Sequence, residues 1–308
     1  HSFFMKYRYP AMLHTMPKNL VIFGGFAIGL ILMVSIYGVL HARRVYVRQD
    51  PVVIEKSSSL PGLKIALIAD LHLGYNSTKS HVRKIVDTIN SQNVDLVCIA
   101  GDLFDNDYDA IKDPDKVADI LSGIKSRYGT YACWGNHDVS EKILAGFTFP
   151  QKETIVRDGR FTEFLHHAGI TMLEDETVCI NNAFYLVGRR DKDMAKKEQL
   201  PRKTFAEITE PLDPSLPIIV MDHQPGELSE ASDAGVDLDL SGHTHDGQMF
   251  PANLVVHFLW ENACGVLKKG SMTSIVTSGA GVWGPAMRVG TNNEVVIANV
   301  SFDPATDQ

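Results

Sequence analysis

Five short clusters of Asp, Asn and His, each placed directly after an apolar run, constrain this 308-residue chain more than any other feature. They are Asp70-Leu71-His72, Gly101-Asp102-Leu103-Phe104-Asp105, Gly135-Asn136-His137-Asp138, Asp222-His223-Gln224-Pro225 and Gly242-His243-Thr244-His245. The runs before them, 64–69, 94–100, 130–134, 216–221 and 236–240, are continuous aliphatic and β-branched stretches of the kind that suits strands buried on both faces. Between the first two runs, Val82, Ile85, Val86 and Ile89 recur at i, i+3, i+4 and i+7, which puts them on one stripe of a helix. Val117, Ile120, Leu121 and Ile124 repeat that spacing before the third run. The expected opening is β-α-β-α-β and the expected class α/β. Sheets of this type gather ligands at the carboxyl ends of their strands, so clusters far apart in sequence converge on one crevice.

Carboxylate oxygen, amide oxygen and imidazole nitrogen form a mixed hard and borderline ligand set that suits Mn²⁺, Fe or Zn²⁺ better than Ca²⁺ or a thiolate zinc site. A carboxylate is the natural bridge between two cations, and Asp102, on the central motif, is the candidate. Gly101 and Gly242 let the backbone turn beside the ligands. A pair of ions roughly 3.5–4 Å apart would activate water and screen both oxygens of a phosphoryl displacement. Taken singly, an Asp-x-His or Gly-Asp pair is a common turn, and a lone His223 is an ordinary hydrogen-bonded histidine. The ordered set, each member after a strand, points instead to a two-metal hydrolytic centre.

These residues resemble the signature of the calcineurin-like metallophosphoesterases: D-x-H, G-D-x-x-D, G-N-H-D/E, H and G-H-x-H. The likeness extends over roughly Leu60 to Val300. The resemblance implies a four-layer αββα metallophosphoesterase sandwich with a cofactor of two divalent transition metal ions at the strand ends. It further implies that Asp70, His72 and His245 bind one metal, that Asn136, His223 and His243 bind the other, and that Asp102 bridges them. His137 would donate to the leaving oxygen, oriented by Asp138. Ser241 to Gln248 and Ser278 to Gly290 are similar to the membrane-attached bacterial branch of that family, which includes diacylglucosamine-pyrophosphate hydrolases. Asp246 stands where that branch usually carries Gly, a negative charge expected to alter metal affinity or phosphate approach.

From Leu20 to Leu40 the chain reads LVIFGGFAIGLILMVSIYGVL, 21 residues without a formal charge. At about 1.5 Å per residue this crosses a hydrocarbon core roughly 30 Å thick. A buried core helix or a signal peptide would also be apolar, but the length favours a span and no A-x-A-type cleavage site follows. Tyr37, Arg43 and Arg44 resemble interfacial anchors. Lys6, Arg8 and Lys18 before the span balance Arg43, Arg44 and Arg48 after it, so the charges do not choose a side. The opening His1, in place of Met, suggests missing upstream sequence, and a further span there would invert the side. The expected organisation is an N-terminal flank at 1–19, a transmembrane helix at 20–40, a linker with Pro51 and Ser57-Ser58-Ser59 at 41–59, and the catalytic domain at 60–308.

A net charge of −8 and a pI near 5.8 argue against broad affinity for nucleic acid. None of Cys98, Cys133, Cys179 and Cys264 has C-x-x-C spacing, and Cys98 and Cys133 fall inside predicted buried strands as small hydrophobes. Arg189 and Arg288 are candidates to meet a substrate phosphate, whereas Arg190 reads as a surface ion pair and His166-His167 as exposed helix residues. The expected protein is a phosphoesterase anchored in a bacterial cell membrane, cleaving phosphodiester or pyrophosphate bonds of a lipid-linked or envelope substrate. The rivals are a tethered phosphodiesterase for soluble substrates and a non-catalytic metal-binding scaffold.

Overall fold

The computed structural model describes residues 18–141, 143–144, 147–148 and 157–302. In chain order it begins with α1 (Lys18–His41), β1 (Tyr46–Ile54), β2 (Leu63–Ile68), α2 (Lys79–Ser91), β3 (Leu96–Ala100), α3 (Pro114–Leu121) and β4 (Thr130–Cys133). A small hairpin of β5 (Ile143–Leu144) and β6 (Phe147–Thr148) precedes α4 (Gly159–His167), β7 (Ile170–Met172), β8 (Glu176–Ile180) and β9 (Phe184–Gly188). Then come α5 (Lys192–Glu198), α6 (Phe205–Thr209), β10 (Ile218–Met221), α7 (Leu228–Asp233) and β11 (Leu238–Ser241). The rest is α8 (Ala252–Leu259), β12 (Gly265–Lys269), β13 (Met272–Val276) and β14 (Glu294–Phe302).

Alternation along the strands assigns the apolar residues to separate cores. In β2 and β3, Ile65, Leu67, Leu96, Cys98 and Ala100 face one core, while Ala66, Ile68, Val97 and Ile99 face another. Successive strand side chains point to opposite faces, so both sides of this sheet must be covered. Its order is β1-β14-β2-β3-β4-β7, and the second sheet runs β12-β13-β11-β10-β9-β8. Val82, Ile85, Val86 and Ile89 of α2, with Val117 of α3 and Phe161 and Phe164 of α4, cover the outside of the first sheet. Leu186, Ile219, Met221, Leu240 and Ile275 bring the second sheet against the first. Phe205, Ile208, Leu228 and Ala231 cover its far side from α6 and α7. The result is the four-layer αββα arrangement, and the three apolar clusters are its interlayer seams.

One expectation fails at the start of the domain. The 41–59 segment is not simply a linker, because β1 lies within it and pairs in parallel with β14 over nine residues, Tyr46 opposite Glu294 through Ile54 opposite Phe302. Asp50, Val52 and Ile54 are buried on alternate positions. Pro51 is tolerated because β1 is an edge strand, where a missing N–H costs no ladder bond. The charged pair Arg48 and Asp50, 2.9 Å apart, disguises the strand in sequence.

Helix α1 is apolar and long enough to cross a membrane, and its most hydrophobic stretch is not buried by the rest of the chain. At about 1.5 Å per residue it is roughly 36 Å long.

A buried acid in the second sheet yields a stability prediction. Asp239 on β11 is pushed up to about 7 by burial and by nearby Asp222, although the hydroxyls of Ser274 and Ser241 donate to it at 3.0 and 3.2 Å. Its neutral form is favoured by the fold, so its contribution is present below the unfolded carboxyl range and lost as pH rises through about 7. Asp239→Asn is expected to flatten that decline by a few kcal/mol in denaturant unfolding compared at pH 5 and pH 8. An identical pH dependence in variant and parent would remove Asp239 as its source.

Candidate metal centre

Each sequence cluster falls where a strand ends. Asp70 and His72 follow β2, Asp102 follows β3, Asn136 and His137 follow β4, His223 follows β10, and His243 and His245 follow β11. Because β2, β3 and β4 are parallel, as are β10 and β11, these ends lie together at one rim of the two sheets. The turns are tight. Asp70, His72, Asp102, His243 and His245 all have positive φ, between 43° and 70°, which costs a non-glycine residue roughly 1–3 kcal/mol each. Gly135 is required for close approach: a Cβ there would overlap the Asp102 carboxylate.

Two sets of acceptor atoms meet at this rim. In the first, Asp70, His72 and His245 bring one ligand atom each to within 4.8 Å of the others, with His72 Nε2 and His245 Nε2 3.0 Å apart. In the second, Asp102, His223 and His243 do the same. Asn136 Oδ1 joins this second set, 3.0 Å from His223 Nε2 and 2.9 Å from His243 Nδ1. Asp102 Oδ2 lies between the sets, 3.1 Å from His223 Nε2 and 3.8 Å from His72 Nε2. Imidazole nitrogens, carboxylate oxygens and an amide oxygen converging in two clusters form a donor set of the chemistry and number that fits two metal ions.

Protonation agrees with that fit at His243, His245 and Asp102, whereas Asp70, His72 and His223 shift toward their protonated forms. Burial pushes His243 down to about 3 and His245 well below the usual histidine range, leaving both rings neutral, the state in which imidazole is a ligand. Burial opposes the charge on Asp102, but His223, His137 and His72 outweigh it and hold the carboxyl well below its usual range. His223 moves the other way, since the adjacent Asp102 carboxylate overcomes the burial that would lower it. A cation in the second set would displace that proton. The ring of His223 is fixed from behind by the Ala100 carbonyl, 2.8 Å from Nδ1, so that Nε2 faces inward.

The structure separates some sequence-derived roles from the residues expected to fill them. Asp138 is fully buried and does not hold the His137 ring. Its oxygens accept the backbone N–H groups of Phe104 at 2.8 Å and Gly135 at 2.7 Å, tying the second and third motif loops together. The ring is held by Asn106, whose Oδ1 lies 2.5 Å from His137 Nδ1. Asn106 Nδ2 donates to Glu141 Oε2 at 3.1 Å, which fixes the amide with its oxygen toward the histidine. The signal for Asn106 was its place directly after Asp105 in the second motif. Asp105 itself sits 3.4 Å from His72 Nδ1, behind a candidate ligand.

Neither Arg189 nor Arg288 is free to meet a phosphate. Arg189 Nη1 donates to Asp222 at 3.0 Å and Glu227 at 2.9 Å, and its guanidinium lies 3.8 Å over the Phe205 ring. Arg288 is buried, donating to the carbonyls of His245 at 3.0 Å, Ser278 at 2.6 Å and Gly281 at 2.8 Å. Both arginines brace the loops that carry the ligand candidates. Asp246 is likewise engaged, 3.0 Å from His257 Nε2 on α8. Arg190 lies 3.4 Å from Glu174, and His166 and His167 end α4 exposed, as their sequence context suggested.

Asn106→Ala tests the positioning of His137. It is expected to leave metal uptake unchanged and to slow phosphodiester turnover by about 10–100-fold, the usual scale for an outer partner. Near-normal turnover with full metal content would show that the Asn106 contact is dispensable.

A doubly covered pair of sheets with two acceptor sets at the strand ends defines the metallophosphoesterase class of hydrolase. The chain belongs to the calcineurin-like phosphoesterase family, whose model matches residues 63–247. It is 32% identical over 251 residues to an uncharacterized metallophosphoesterase of Helicobacter pylori, covering 81% of this chain and 62% of that protein. It is 28% identical over 285 residues to a transmembrane protein with metallophosphoesterase domain of Danio rerio, covering 85% and 59%. To the UDP-2,3-diacylglucosamine pyrophosphatase LpxG of Chlamydia muridarum it is 25% identical over 228 residues, covering 63% and 67%. The chain thus spans less than two thirds of the length of the first two relatives.

Proposed function

We propose that this chain is a membrane-anchored phosphoesterase that hydrolyses phosphodiester or pyrophosphate bonds at a two-metal site, with a lipid-linked phosphate ester as its substrate. The observation that carries the reading is Asp102 Oδ2, placed between two clusters of carboxylate, amide and imidazole groups at one rim. Asp70, His72 and His245 would hold one ion and Asn136, His223 and His243 the other, with Asp102 shared. When bound, such a pair of divalent ions activates water at neutral pH and screens charge on the phosphoryl oxygens.

The remaining chemistry belongs to the side chains. His137 Nδ1 is taken up by Asn106, which leaves Nε2 to give a proton to the leaving oxygen. Burial lowers His137 to about 4, which favours the neutral ring. An anionic phosphate beside the ring raises its proton affinity and readies it as a donor. The Asp138 carboxylate keeps the Gly135 turn against Asp102 and so sets the backbone from which His137 projects.

Two observations support a lipid-linked substrate: α1 is an unburied apolar helix, and a relative is named as a diacylglucosamine pyrophosphatase. Confinement beside a bilayer raises effective concentration toward substrates held there and does little for diffusing ones. The test uses the full chain in liposomes with matched metal content, comparing a vesicle-embedded phosphate ester with soluble bis-p-nitrophenyl phosphate. The expected result is a rate on the embedded ester that falls when the same ester is moved to separate vesicles, while the soluble diester is unaffected. Equal handling of both substrates would favour the tethered enzyme for soluble esters, and loss of the embedded activity altogether would end the lipid reading.

A further inference from the structure

Helix α8 carries an apolar face that nothing in the described chain covers. Ala252–Leu259 reads ANLVVHFL and none of its residues is buried. Phe258 is 90% exposed, Leu259 73%, and Leu254 and Val255 54%, while Phe250, just before the helix, is 63% exposed. Leu254, Val255, Phe258 and Leu259 stand at i, i+1, i+4 and i+5, so they form one stripe. Asn253, Val256 and Trp260 are the less exposed positions of the opposite side. A contiguous apolar patch of this kind marks an interaction surface.

Its position identifies the partner. The last turn of α1 docks on the loop 287–293: Arg288 N donates to Gly38 O at 3.0 Å, and Asn293 Nδ2 donates to Ala42 O at 2.6 Å. Gly38 is the buried position of α1, because a Cβ there would stand 3.0 Å from Val289 Cγ2. Val289 also accepts the backbone N–H of Phe250 at 2.8 Å. One residue therefore touches both the end of the apolar span and the start of α8. Tyr37 and Leu40 are exposed on the same final turns, and Arg43 and Arg44 follow at once. This is the level at which a spanning helix leaves lipid and an amphipathic helix lies in the interface.

We propose that α8 is a second membrane contact, with Phe250, Leu254, Val255, Phe258 and Leu259 inserted into the surface of the bilayer that α1 crosses. The inference rests on α1 as a membrane span and deepens the lipid-linked reading of the site. The inserted helix is tied directly to the candidate metal centre. The Trp260 ring, one residue past α8, meets His243 edge-on at 5.3 Å between centroids. His257 pairs with Asp246, the neighbour of His245. Insertion of α8 thus seats the ligand loop in the headgroup layer, where a phosphate can reach the rim while its acyl chains stay in the bilayer.

The test places a tryptophan on the face, Phe258→Trp, in the full chain reconstituted into liposomes with or without lipids brominated along the acyl chains. A second variant, Val53→Trp, puts the probe at an exposed position on edge strand β1, about 23 Å along the strand from its start at 3.3 Å per residue. The unsubstituted chain supplies the background of the native tryptophans. The expected result is loss of the added emission at position 258 in brominated lipid and none at position 53. No added quenching at 258, including the case in which a second copy covers α8 and crosslinks through it, would overturn the proposal, as would equal quenching at both positions. The readout needs no turnover, so it stands apart from failure of the enzymatic reading. In an active preparation, Leu254→Glu with Phe258→Glu is expected to slow hydrolysis of a vesicle-embedded ester by about tenfold or more while leaving the soluble diester unchanged. Unchanged hydrolysis of the embedded ester would count against the proposal.

Discussion

Replacing Asp102 with alanine is expected to strip at least one metal from the protein and to abolish most turnover. The carboxylate lies within 4 Å of ring nitrogens in both histidine sets, 3.1 Å from His223 Nε2 and 3.8 Å from His72 Nε2. Its other oxygen accepts the backbone N–H of His137 at 2.8 Å, so the same change also loosens the proposed proton donor. Loss of a shared ligand removes charge and geometry together. The fall should exceed the roughly 10–100-fold cost of removing an outer partner. The checks are metal content after dialysis and phosphodiester turnover. Two tightly held ions with near-normal turnover in Asp102→Ala would reject the shared position.

The second large effect separates proton transfer from metal binding. His137→Ala is expected to keep both ions, since no ligand is removed, and to slow turnover by about 10²–10⁴, the usual range for general acid catalysis. The loss should be smaller for p-nitrophenolate, which departs with little need of a proton, than for an alkoxide leaving group. Paired rates for the two leaving groups, with metal content measured in each preparation, provide the check. Equal losses on both substrates would assign His137 to phosphate binding or to structure.

The sequence exposed the site better than its supports. Strands buried on both faces are continuous apolar runs, and the polar cluster that ends each run lies at the rim, so the clusters were readable from local pattern, while the seven proposed ligand roles within them came from the family resemblance. The helices α2 and α3 were readable for the same reason, through Val82 to Ile89 and Val117 to Leu121. Side-chain roles set by the direction of a turn were less accessible. Asp138 follows His137 in sequence, yet the turn sends its carboxylate back under Gly135 and leaves the ring to Asn106.

Charge also misled where it was buried. Arg189 and Arg288 carry cations that sequence alone assigns to surface or substrate, but Arg189 is taken up by Asp222 and Glu227 and Arg288 by the carbonyls of His245, Ser278 and Gly281, partners that no local pattern marks. Strand β1 was hidden because an edge position tolerates both Pro51 and an internal Arg48–Asp50 pair. The hairpin of β12 and β13, with Gly270 at its turn, lies outside the motif pattern and had no ligand to mark it.

The most direct test of the account is a metal titration of the stripped full-length protein, with bound metal and turnover of bis-p-nitrophenyl phosphate followed in the same samples. The account predicts no turnover without metal, binding of two Mn²⁺ per chain, and turnover that rises as the second ion is taken up. Turnover in the stripped protein, saturation at a single ion, or two bound ions with no hydrolysis of any phosphate ester would contradict it.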